Sequence, residues 1–139
     1  MQLFQNTGRH NCALPAAALL AALPLFAESA ADHKARMDAA QDTQDELRDA
    51  LDAKSAGKAL NANRKLIQFG DREKLYWTAA KLPAAVHLAE ENFAAASELQ
   101  LRLKAGTWDT VEQAYSRVQE SCRACHDAHP EKQMKIITK

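Results

Sequence analysis

Past an apolar stretch near its start, the chain places hydrophobic residues at intervals of three and four, the period of amphipathic helices rather than strands. Met37, Ala40, Gln44, Leu47 and Leu51 mark one stripe and predict a helix from about Asp32 to Lys54, broken by Ser55 and Gly57. Ala59, Ala62, Leu66, Phe69, Tyr76 and Ala80 mark a second, over about Ala56 to Lys81. Glu73 is the one charged exception on that stripe, and Gly70 makes the middle of the helix its weakest part. Pro83 suits the first turn of a third helix, where a missing N–H costs least; Val86, Ala89, Phe93, Ala96, Leu99 and Leu103 follow, and Gly106 is placed as its C-terminal cap. In the fourth, Trp108, Val111, Tyr115, Val118, Cys122 and Cys125 alternate without a miss until Pro130. Thr107 or Asp109 is in position to cap it, and Thr110 with Gln113 offers a capping box.

Stripes of this width are half-buried faces, and the breaks between them are short. Together they predict an all-α protein, an antiparallel up-down-up-down four-helix bundle. In that topology the end of the fourth helix lies beside the start of the first, with the end of the second and the start of the third. Met37, Ala40, Gln41, Tyr76, Trp77, Val86 and His87 are then expected around the level of His126. Each Leu and aromatic on a stripe reads first as core packing.

The N-terminal stretch changes the picture of where the protein works. Arg9 and His10 precede an apolar run from Ala13 to Phe26, and Ser29, Ala30 and Ala31 supply small residues for a signal peptidase. Residues 1–31 therefore read as a signal peptide and 32–139 as the mature domain, with cuts after Ala27 or Ser29 as close alternatives. The run contains Pro15 and Pro24 and is shorter than the ~20 apolar residues of a membrane span, so stable membrane insertion is not expected. Cys12 lies before the run and leaves with the leader. Lys plus Arg and Asp plus Glu are 18 each, so net charge points to no nucleic acid or other polyanion. Four Gly and four Pro in 139 residues agree with a helical chain.

The mature segment keeps two cysteines, and both stand in one motif, Cys122-x-x-Cys125-His126, close to the C-terminus. This is the spacing of covalent haem attachment: two thiols for two vinyl groups and an adjoining imidazole for the iron. Three other readings compete. An exported cysteine pair can close a disulfide, which would make the chain a haem-free structural bundle. Zinc could recruit Cys122, Cys125, His126 and His129, yet the first and last are about 10 Å apart along one helix and cannot easily converge on one ion. A redox dithiol normally opens a helix, whereas this pair sits near a helix end whose dipole disfavours thiolate.

An exported four-helix chain ending in Glu120-Ser-Cys-Arg-Ala-Cys-His-Asp-Ala-His-Pro-Glu-Lys132 resembles the class II c-type cytochromes, the cytochrome c′ family. The residue matches are Cys122, Cys125 and His126; His129 and Pro130 stand where the family usually has an aromatic followed by a basic residue. The resemblance implies one haem c bound through Cys122 and Cys125, with His126 as proximal iron ligand. It implies a periplasmic location, redox partner proteins, electron transport rather than an enzymatic turnover, and it admits a homodimer. The family has two branches. In one, a methionine of the first helix fills the sixth iron position and the protein carries single electrons. In the other, a high-spin five-coordinate iron binds nitric oxide or another small gas. Met37 is the candidate distal ligand, with core packing against the porphyrin as its other role. Its depth from the start of its helix is similar to that of His126 from the end of the fourth. Met134 is too close to His126 to cross the haem plane. His87 is a rival ligand, His33 is expected to be solvated at a frayed terminus, and His129 stays on the proximal side.

Overall fold

The computed structural model describes residues 28–129, so most of the leader reading, including Cys12, and the tail with Pro130, Lys132 and Met134 lie outside the described residues. Four helices follow one another: α1 (Ala30–Asp52), α2 (Ala56–Ala79), α3 (Pro83–Ala105) and α4 (Trp108–Ala128). The described residues contain no strand. Pro83 and Gly106 take their expected places; Gly106 turns left-handed at φ 69°, where a side chain would be strained.

Helix α1 starts two residues earlier than its apolar stripe predicts, because Ser29 and Asp32 form a capping box. The Ser29 hydroxyl accepts from the Asp32 amide at 3.1 Å, and the Asp32 carboxylate accepts from the Ser29 amide at 3.4 Å. Of the cleavage points the sequence allows, only the one after Ala27 keeps this cap. The expected cap on α4 is not made: Thr107 turns its hydroxyl back onto the Arg102 carbonyl at 3.3 Å and serves the end of α3 instead.

Neighbouring helices run antiparallel, since contact positions fall on one as they rise on the next. Arg36 meets Glu73 and Glu46 meets Lys65; Asn63 reaches the Ala96 carbonyl and Asn92 reaches Ser121. Gln44 with Cys122 and Arg48 with Gln119 close the circuit from α1 to α4. The circuit is uneven. Consecutive helices pack closely, but no Cα of α1 comes within 8 Å of a Cα of α4. Side chains bridge those two helices, among them the Arg48 guanidinium 4.4 Å over the Tyr115 ring.

The main core joins Leu47, Leu51, Leu66, Leu99, Leu103, Val111, Tyr115 and Val118, packed over alanines of α1, α2, α3 and α4. A smaller cluster forms around Trp77, Ala85 and Ala89, backed by Tyr76 and Val86. Phe93, expected in the core, is 39% exposed. The reason is Gly70. A methyl group there would sit 3.1 Å from the Phe93 Cα, so α2 lies against the α3 backbone at this point and the ring emerges beside the contact. Gly70→Ala should therefore lower thermal stability, even though alanine gains about 1 kcal/mol of helix propensity, because overpacking costs about 1–3 kcal/mol and backbone cannot step aside cheaply. A thermal melt above the wild type would contradict that.

Candidate functional site

The stripes of all four helices turn small or polar at one level: Ala40 and Gln44 on α1, Glu73 on α2, Ala89 and Asn92 on α3, Cys122 and Cys125 on α4. Small side chains cannot fill the gap between α1 and α4, and a cleft results that is open to solvent on one side; with the adjoining solvent included it spans about 510 Å³. Met37 and Gln41 line it from α1, Phe69 and Trp77 from α2, Leu88 from α3, and Ser121 and His126 from α4. Cys122, Cys125 and His126 thus share one wall, and Met37 stands on another.

The two thiols stand one turn apart and are not bonded to each other. Burial pushes the Cys122 thiol up, against hydrogen bonds to its sulfur from Asn92 at 3.3 Å and Gln44 at 3.5 Å. Burial also pushes Cys125 up, to about 11, aided by the negative charge of Glu73. Both are therefore protonated at neutral pH, unlike the lowered attacking thiol of a redox dithiol. Among the described residues no three His, Cys, Asp or Glu side chains are grouped to hold a metal ion.

The register places Met37 differently from the expected match in depth. Counting four residues in opposite directions from the Gln44–Cys122 contact brings Ala40 opposite His126. Met37 is one turn nearer the end of the bundle, an offset of about 4.5 Å at 1.5 Å per residue. Its unbranched side chain still reaches the cleft.

Sequence reasoning missed the wall beside these residues. His33 is not solvated at a frayed end; it is 5% exposed, because Glu73, forty positions away, holds it. The Glu73 carboxylate accepts from His33 Nε2 and Trp77 Nε1, each at 3.0 Å, on one oxygen, and from Arg36 Nε at 2.9 Å and Nη2 at 2.6 Å on the other. A carboxylate only accepts, so His33 carries its proton on Nε2. Burial raises the Glu73 carboxyl, but the hydrogen bonds and positive charge of His33 and Arg36 outweigh it and hold the group below its usual range. Arg36 also pairs with Glu28. The His33 ring stacks on Tyr76 at 4.0 Å, and His129 stacks on Trp77 at 5.4 Å. Tyr76 and Val86 thus back the wall without lining the cleft. His87 is remote from it, with its side chain 71% exposed and paired to Glu91. A charged residue on an apolar stripe was the available signal, since a buried carboxylate needs buried donors.

No protein-family model, no curated protein and no solved structure matches the chain. Among the described residues no helix is long and apolar enough to cross a membrane.

Proposed function

We propose that the cleft holds one haem c and that the protein is an exported, periplasmic class II c-type cytochrome, a carrier of single electrons between redox partner proteins and not an enzyme. The observation that carries this reading is the cleft itself, which gathers Cys122, Cys125 and His126 on one wall and brings Met37 to another. Cys122 and Cys125 would hold the group through thioethers and His126 would ligate the iron. Iron bound there would cycle between ferrous and ferric states, which is the chemistry the group supplies. The protein contributes the rest: Phe69, Trp77, Leu88 and Ala89 exclude water, and Glu73 with Arg36 and His33 stiffens the wall between α1 and α2. Near-zero net charge leaves partner choice to local surface, and a homodimer is compatible with the fold.

Met37 is the proposed sixth ligand. The second reading, a five-coordinate iron that binds nitric oxide or another small gas, is favoured by one observation: small Ala40, not Met37, is level with His126. An optical spectrum separates the two. A low-spin ferric spectrum that turns high-spin in Met37→Ala is the expected result. A high-spin wild type that takes up carbon monoxide without losing a ligand would establish the gas-binding reading instead.

A further inference from the structure

Glu73 asks for an explanation that packing does not provide. Its side chain is 4% exposed, and a hydrophobic residue would fill the same stripe without the desolvation penalty of a buried ion. All its acceptor capacity is used by His33, Arg36 and Trp77, so the charge is fixed rather than exchangeable. Its geometry is also asymmetric. Glu73 lines the cleft and its charge acts on the Cys125 thiol, whereas Arg36 does not line it. The Arg36–Glu73 ion pair is thus a dipole whose negative partner is the one at the cleft. The Glu73 side chain is buried, so the field of that charge is weakly screened.

We propose that Glu73 is an electrostatic tuning residue of the cleft: a fixed anion that stabilises the more positive, oxidised state of a bound redox centre and so lowers its reduction potential. This rests on the haem reading. A ferric centre carries one more positive charge than a ferrous one, so a neighbouring carboxylate favours loss of the electron. Neutralising the carboxylate favours its gain. Arg36 keeps the anion in place; it is a positioning partner that does not itself line the cleft.

The test is a spectroelectrochemical titration of the haem-loaded, full-length exported protein and two variants. Glu73→Gln keeps size and removes charge. Glu73→Asp keeps charge and shortens the reach to its donors, so it disturbs structure without removing the anion. Glu73→Gln is expected to shift the ferrous-to-ferric ratio at fixed potential about tenfold toward ferrous, a rise of about 59 mV for one electron. Glu73→Asp is expected to stay within a third of that shift. An unmoved potential in Glu73→Gln, or an equal shift in Glu73→Asp, overturns the proposal and leaves haem binding intact. Should Glu73→Gln alone not fold, the double variant Glu73→Gln with Arg36→Gln leaves no unpaired buried ion from the pair. It is expected above the wild-type potential, and a value at or below it overturns the proposal. Wild-type protein carrying no covalent haem contradicts the haem reading itself, a different failure seen before any titration.

Discussion

Glu73→Leu should cost the folded protein about 3–5 kcal/mol, because breaking one side of a buried charge pair leaves the other uncompensated. Arg36, His33 and the Trp77 indole N–H all lose their acceptor at once, and the Arg36 side chain is 12% exposed and cannot easily reach water. Domains of this kind are stable by about 5–15 kcal/mol, so the loss is a large part of the whole. Urea denaturation of wild type and variant should show a lower midpoint with an unchanged slope. A loss below about 1 kcal/mol, the scale of a single net hydrogen bond, would mean the donors find water and the wall is loose. The difference depends on pH in a definite direction. The Glu73 carboxyl is held below its ordinary value of 4.5 in the fold, so its contribution is complete above that value and disappears as the pH falls through the folded one. The gap between wild type and Glu73→Leu should therefore be full at neutral pH and close in acid.

The second large effect concerns attachment. Replacing Cys122 and Cys125 together by alanine should abolish haem that survives denaturation, since residues 32–139 hold no other cysteine. Each single replacement should leave one thioether and a weakened yield. The double variant should keep its helices, because the exchanged side chains are small and line an open cleft rather than the close-packed core of Leu47, Leu99 and Val118. Full retention of haem through denaturation by the double variant would assign attachment to other residues.

The helices were legible because their stripes are local. Residues three and four apart decide whether Val111, Tyr115 and Val118 face inward, and Pro83 and Gly106 act within one turn of where they stand. The site wall was less legible because its bonds cross the bundle. His33 reads as a terminal histidine until Glu73 is folded onto it from α2. Phe93 reads as core until Gly70 brings the α3 backbone so close to α2 that no ring fits between them. Met37 stands one turn from its expected level because the ends of α1 and α4 are not flush: Ala40, ten residues past the start of α1, is level with His126, two residues before the end of α4. Cys122, Cys125 and His126 were singled out by spacing alone, and the fold brings all three to the lining of one cleft.

The mass of the exported chain after full denaturation tests the central claim most directly. Protein matured with a c-type haem assembly system should carry the mass of one haem, with Cys122 and Cys125 both blocked to thiol reagents. A chain of bare polypeptide mass, with both cysteines open to alkylation or joined to each other, would contradict it.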